Sequence, residues 1–217
     1  MERSFSGVVV RATGSWYEVL AGGGRLRCRI RGRLRLKGVR STSPVVVGDR
    51  VSCESDANGD HAIVAVEPRR NYVIRRASNL SKESHIIAAN VDQALLMVTL
   101  RHPETAPEFV DRFLVTCEAY KVPATILLSK SDLQDPGELA AFRAVYEGAG
   151  YPVLTVSAAT GEGMEAVGEL LRGRTTLVSG NSGVGKSTLV GTIDPTLDIR
   201  TGELSESHGK GRHTTTF

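Results

Sequence analysis

The chain has 217 residues, 41% of them hydrophobic, and a net charge of +3, which bounds it to about two globular domains. No apolar run approaches the roughly 18 residues of a membrane helix and no secretory h-region is present, so a cytoplasmic protein with no membrane partner is expected. Cys28, Cys53 and Cys117 lie far apart without zinc-ligand spacing, and they read as reduced core residues, consistent with the cytosol.

The first third reads as short strands separated by Gly, Asn and Asp turns. They are Gly7-Val8-Val9-Val10, Trp16-Tyr17-Glu18-Val19-Leu20, a basic run from Arg25, Val45–Val51 and His61–Val66. A small five-stranded barrel of the OB type over residues 1–68 is the expected architecture. In the basic run every odd position is charged: Arg25, Arg27, Arg29, Arg31, Arg33, Arg35 and Lys37. Leu26, Cys28, Ile30, Gly32, Leu34 and Leu36 alternate with them, so an extended chain puts all the charge on one face. The run would span roughly 40 Å, long for one strand, and a bend or bulge is expected at Gly32.

Charge is unevenly divided along the chain. Residues 1–76 hold 15 Lys/Arg against 7 Asp/Glu, a balance of +8, while the remaining 12 against 17 give −5. Seven like charges on one edge repel each other unless a polyanion is present, which points to RNA-binding through this row. A solvated strand face is the alternative. Trp16 and Tyr17 offer rings for base stacking, although one of them is expected in the barrel core.

Residues 69–86, with Arg69-Arg70, Arg75-Arg76 and a polar Ser/Asn/Lys stretch, read as a linker, leaving 87–217 as the second domain. That domain alternates strands and helices. Gln93–Leu100 is nearly all apolar, as in a strand buried on both faces. Phe109, Val110, Phe113, Leu114 and Cys117 recur at helical spacing. The strand Ile126-Leu127-Leu128 ends in Ser129-Lys130-Ser131-Asp132. A helix follows with Pro136 at its start, Leu139, Phe142, Val145 and Tyr146 on one face, and Gly148 and Gly150 near its end. The strand Val153–Val156 then leads into Ser157-Ala158, and Met164, Val167, Leu170 and Leu171 form a third apolar stripe. Such alternation predicts a mostly parallel α/β sheet.

Thr175–Ser179 reads as a short buried strand entering Gly180-Asn181-Ser182-Gly183-Val184-Gly185-Lys186-Ser187, a match to the phosphate-loop pattern GxxxxGK[ST]. A match this long arises by chance in roughly one chain in a hundred of this length. Glycines let successive N–H groups turn toward phosphate oxygens, and the following helix adds its positive end. Lys186 is expected to reach the β- and γ-phosphates, Ser187 to ligate Mg²⁺, and Thr188 to lie beside them.

Ser129-Lys130-Ser131-Asp132 and Ser157-Ala158 look like the two guanine-reading motifs of GTPases. A carboxylate at Asp132 accepts from guanine N1–H and its 2-amino group, and the stem of Lys130 covers the base. Ser129 stands where the NKxD pattern has Asn, and it has a shorter reach. Each motif alone is short enough to be an ordinary polar turn. In an ordinary GTPase both follow the phosphate loop, whereas here both precede it, which is the order of a circularly permuted GTPase.

The barrel, this order and Gly209-Lys210-Gly211-Arg212-His213-Thr214-Thr215-Thr216 together resemble the RsgA (YjeQ/EngC) family of small-subunit-dependent GTPases over essentially the whole chain. The resemblance implies a P-loop GTPase domain behind an OB-fold barrel. It also implies GTP and GDP as ligands, a late assembly role on the small ribosomal subunit and its rRNA, and a monomer. Thr215 then matches the switch-I Thr that bonds Mg²⁺ and the γ-phosphate, and His213 the histidine that positions water, beside the catalytic Lys186. His213 otherwise reads as an exposed loop residue. Beyond Lys186 only Asp194 and Asp198 occur, and neither begins a DxxG segment. The family's Zn²⁺ is expected only in a C-terminal Cys/His domain that these residues do not include. The chain stops at Phe217 inside the expected switch I, reads as a truncated form or as a sequence limited to its ordered part, and is expected to bind nucleotide but hydrolyse it poorly. Two other readings stay open: a nucleic-acid-binding ATPase or kinase with an incidental SKSD, and an RNA-binding module with a vestigial nucleotide site.

Overall fold

A computed structural model describes residues 3–31, 44–76 and 84–196. Gly32, Arg33, Arg35, Lys37, His213 and Thr215 lie outside the described residues. The chain divides into two compact units, Met1–Val91 and Asp92–Phe217.

The first unit is built on five strands: β1 (Arg3–Thr13), β2 (Trp16–Ala21), β3 (Gly24–Ile30), β4 (Arg50–Ser55) and β5 (His61–Val66). They close a barrel in the order β1-β2-β3-β5-β4, with β1 pairing β4 and β3 running parallel to β5. This is the expected OB-type barrel. Period-two alternation sends Val9, Tyr17, Val19, Cys28, Val51, Cys53 and Ile63 into one core, while Arg25, Arg27, Arg29 and Arg31 stay outside. Tyr17 is therefore the core ring of its pair. Closure needs Gly7, where an added Cβ would lie 2.5 Å from Val19 Cγ1 and 2.6 Å from the Leu20 carbonyl oxygen.

The expected strand Val45–Val51 is corrected: residues 44–49 form a turn, and β4 begins at Arg50. Val45 and Val46 are still buried, so the apolar signal was real but not that of a strand. The cause is Asp49. Its carboxylate accepts from Val46 N at 2.8 Å and takes Arg69 in two bonds, Nε to Oδ1 at 2.7 Å and Nη2 to Oδ2 at 2.8 Å. A side chain that satisfies backbone N–H locally competes with the strand ladder. Downstream, β6 (Tyr72–Arg76) pairs antiparallel with β7 (Ser84–Ala89), so the stretch read as a linker carries a two-stranded sheet.

The second unit has four parallel strands, β8 (Gln93–Val98), β9 (Ala124–Ser129), β10 (Val153–Val156) and β11 (Thr176–Gly180), in the order β10-β9-β8-β11. Helices α1 (Pro107–Ala119), α2 (Pro136–Gly148) and α3 (Met164–Leu171) are the crossovers, and α4 (Lys186–Ile193) follows the phosphate loop. Every residue of β8 is buried. Its Leu96 and Val98 pack with Val110, Leu114, Tyr146 and Phe142 of α1 and α2, whereas Leu95 and Met97 pack with Val167 and Leu189 of α3 and α4. Helices thus cover both faces, the arrangement that makes a parallel strand apolar throughout. Asp135 caps α2, accepting from Glu138 N at 3.0 Å, with Pro136 in the first turn. The strand at β11 is corrected from buried to half-buried, because among the described residues it pairs only with β8.

Asp49 is 0% and Arg69 7% exposed, so truncating one partner leaves the other charge buried. Asp49→Ala is expected to destabilise the barrel by about 3–5 kcal/mol in urea unfolding. A loss below 1 kcal/mol, by the same ~kcal scale, would mean that Arg69 finds water instead.

Candidate functional site

Chain direction reverses across the sheet at one place. From β8 the chain steps outward to β9 and β10, then returns to the other side of β8 as β11. In open α/β sheets the crevice beyond the carboxyl ends of the strands at such a point is where ligands bind. The phosphate-loop segment leaves β11, Ser129–Asp132 leaves β9, and Ser157-Ala158 leaves β10, so all three expected segments gather on one edge.

The loop from Gly180 to Lys186 has the backbone that its glycines allow. Gly183 and Gly185 have φ of +82° and +99°, and Gly185 caps α4. At Gly180 a Cβ would run into the Met97 carbonyl oxygen of β8, its partner in register. Val184 is buried and pins the loop to the Leu95–Met97 side of the core. Asn181, Ser182, Gly183, Ser187 and Gly185 are half-buried and Thr188 is exposed. Lys186 Nζ donates to the carbonyls of Gly180 at 2.8 Å and Asn181 at 2.7 Å, which folds its ammonium back over the loop. Burial pushes the Lys186 pKa down from the ordinary lysine value. A partly desolvated cation among backbone dipoles is a site that gains from an anion.

The two short motifs are physically joined. Ser157 Oγ donates to Asp132 Oδ1 at 2.6 Å and accepts from Thr160 N at 3.2 Å. Beside it, Ser131 Oγ donates to Glu162 Oε2 at 2.6 Å, and Ser157 N donates to the Glu162 carbonyl at 3.0 Å. Ala158 is half-buried next to this bridge. Lys130 adopts a left-handed conformation, φ +56°, at the start of the short 3-10 turn Ser131–Leu133. Its Nζ donates to the His102 carbonyl at 2.8 Å. Burial lowers the Lys130 pKa, with the Asp132 carboxylate acting in the opposite direction. Ser129 is buried, and a Cβ on Gly185 would stand 3.4 Å from its Oγ, so the side chain at this position borders the phosphate loop. A larger residue would press on that glycine. Glu162 was missed by sequence reasoning. The only signal for it is the turn Thr160-Gly161-Glu162-Gly163, in which Gly163 takes φ +69° at the start of α3.

On the barrel, Arg25, Arg27, Arg29 and Arg31 are all exposed on one side of β3. Trp16 of β2 lies on that face too, with Arg27 and Arg29 guanidiniums 3.9 and 3.8 Å from its ring centroid.

A phosphate-type loop after the last strand of a permuted parallel sheet, with an OB barrel before it, defines the class as a circularly permuted P-loop GTPase fold. Residues 66–217 match the model of the RsgA GTPase and residues 6–63 that of the RsgA N-terminal domain. The chain belongs to the RsgA family. It is 52% identical over 215 residues to a small ribosomal subunit biogenesis GTPase RsgA of Bacteroides fragilis, covering 97% of this chain and 69% of that protein. The Porphyromonas gingivalis protein of the same description is 50% identical over 217 residues, with the same coverage, 97% and 69%. Among solved structures, YjeQ from Thermotoga maritima superposes with a TM-score of 0.71 at 33% identity, covering 96% of this chain and 73% of that one. YloQ, described as a circularly permuted GTPase, gives 0.64 at 26% identity, covering 96% and 69%.

Ser157→Ala removes the donor to Asp132 and the acceptor for Thr160 N together. We expect a loss of about 1 kcal/mol, discounted because Asp132 is exposed. Amide exchange should quicken at Thr160 and across Lys130–Leu133. Exchange unchanged at those positions would show that the bridge does not order the loops.

Proposed function

We propose that this chain is the barrel and nucleotide-binding part of a GTPase that assists late assembly of the small ribosomal subunit. In this reading the nucleotide state controls release from rRNA. The observation that carries the proposal is the Ser157–Asp132 hydrogen bond of 2.6 Å on the same sheet edge as the Gly180–Lys186 loop. It fits the two guanine-reading motifs acting as one unit beside a phosphate site. Relatives at 52% and 50% identity carry the description of small ribosomal subunit biogenesis GTPases, which supports the substrate and the partner. No helix among the described residues is long and apolar enough to cross a membrane, which fits a cytoplasmic protein; we take it to act as a monomer.

In this reading the N–H groups of the loop surround the phosphates, and Lys186 exchanges its carbonyl partners for β- and γ-phosphate oxygens. Asp132 accepts from guanine N1–H and the 2-amino group, held in place by Ser157, while the Lys130 stem covers the base. Ser129 and Ala158 shape the two loops. Among the described residues no group of three or more His, Cys, Asp or Glu could hold a metal ion. Mg²⁺ needs only one or two protein oxygens when phosphates supply others, and the Ser187 hydroxyl at the start of α4 is the group that would hold it. Bound there, Mg²⁺ would neutralise charge on the β- and γ-phosphate oxygens. Thr215 and His213 are assigned to the switch and to water positioning by resemblance alone. After Lys186 neither Asp194 nor Asp198 begins a DxxG segment, and in this reading residues 87–217 are expected to bind GDP and to turn GTP over slowly.

The test is competition for labelled GDP. GTP should compete and ATP should not; equal competition would favour an ATPase or kinase, and no GDP binding a vestigial site. Asp132→Asn should cost about 1.5–3 kcal/mol in GDP binding and favour xanthine nucleotides, whose 2-carbonyl accepts rather than donates. Unchanged guanine affinity would remove Asp132 from the site.

Lys186→Ala should abolish tight nucleotide binding, because the phosphates lose their point charge. In a longer version that carries the DxxG segment, His213→Ala should leave affinity intact and slow ribosome-stimulated hydrolysis. Equal loss of affinity and turnover would make His213 structural.

A further inference from the structure

Four described arginines project from one side of β3, and their surroundings divide them. Arg25 shares Glu18 with Arg11, at 3.9 and 3.4 Å. Arg31 Nη1 lies 2.7 Å from Glu54 Oε2. Arg27 and Arg29 meet no carboxylate among the described residues; their neighbour is Trp16, with guanidinium carbons 3.9 and 3.8 Å from its centroid. Both guanidiniums are thus held against the same indole.

This geometry has two consequences. Two guanidiniums already occupy Trp16, so a nucleobase that stacked there would compete with them for the ring. A guanidinium lying over a ring keeps its N–H groups in its own plane, pointing outward past the ring edge, where the oxygens of a phosphate can be taken bidentately. The stack also restrains two long side chains before any ligand arrives, which lowers the ordering cost of binding. Arg31, by contrast, already has a counter-charge.

We infer that the Arg27–Trp16–Arg29 stack is the phosphate-gripping element of the barrel, with Trp16 a positioning residue and RNA backbone, not bases, as its ligand. The inference rests on the RNA-docking reading above and assigns the work within it. Neighbouring phosphates of one strand each take one guanidinium, and the Arg31–Glu54 pair stays largely outside the contact.

The probe is a labelled transcript of small-subunit rRNA, with binding to the whole chain measured across salt concentrations. Arg27→Gln and Arg29→Gln should each make the log–log salt slope shallower by about 0.7 to 0.9. The charge-neutral double variant Arg31→Gln/Glu54→Gln should leave the slope unchanged. Trp16→Leu should weaken binding several-fold with the slope kept, because the charges remain, and Trp16→Phe should restore most of the affinity. Unchanged circular dichroism and GDP affinity exclude misfolding in each variant. Trp16 is the only tryptophan, and the transcript has none, so emission reports this ring directly. Emission should persist on binding.

Strong quenching by the transcript would mean a base on the indole and would overturn the inference. So would wild-type affinity in Trp16→Leu, or an equal slope change in the Arg31/Glu54 variant. Failure of the docking reading itself looks different: the triple variant Arg27→Gln/Arg29→Gln/Arg31→Gln would bind the transcript like the parent. If that transcript did not bind at all while whole small subunits did, the partner would be a ribosomal protein, and both readings would fall.

Discussion

Parallel pairing of β8 with its neighbours is the constraint on which the second unit depends. Parallel strands deliver every strand-end loop to the same edge of the sheet, whatever the order in which the strands occur in the chain. The loops after β9, β10 and β11 therefore meet around the carboxyl end of β8, although Ser179 lies 47 positions after Asp132. Permutation costs little for that reason. The sheet defines the site, and chain order only has to supply crossovers long enough to return to it.

The same edge is held by contacts of different kinds. The core fixes the strands: Leu95 and Met97 on one face, Leu96 and Val98 on the other, pack against helix pairs. Hydrogen bonds then fix the loops, with Asp132 joined to Ser157 and Ser131 to Glu162, each at 2.6 Å. Burial places the loops within a few ångströms, and the charge-assisted bonds set the final orientation of the side chains. Gly180 and Gly185 allow the phosphate loop to approach Met97 and Ser129 closely. In that setting serine at position 129 is the small neighbour that the loop accommodates.

The barrel uses its charges in distinct ways. Asp49 and Arg69 are a buried pair that shapes a turn, and Glu18 and Glu54 partly neutralise the surface row. Arg27 and Arg29 are stabilised by an aromatic face, which restrains them without cancelling their charge. A count of basic residues cannot separate these cases, because net charge is blind to what each guanidinium touches.

Much was legible from the sequence alone, because it is local. The all-apolar run at β8, the helical spacing of Val110, Leu114 and Cys117, the alternation through β3 and the glycine pattern of Gly180–Lys186 each reflect one element's own geometry. The motif order, read with them, was enough for the permuted α/β class and the family. Val45–Val51 misled because strand-like burial and strand conformation are different properties, and Asp49 with Arg69, 20 residues away, decided between them. Glu162 was invisible because its partner Ser131 lies 31 positions earlier and meets it only across β9 and β10. The pairing of arginines with Trp16, Glu18 and Glu54 also waited for strand register. Sequence determined the elements, whose forces act within a few residues. Tertiary structure alone decided which polar side chains meet, since those contacts depend on how distant strands are brought side by side.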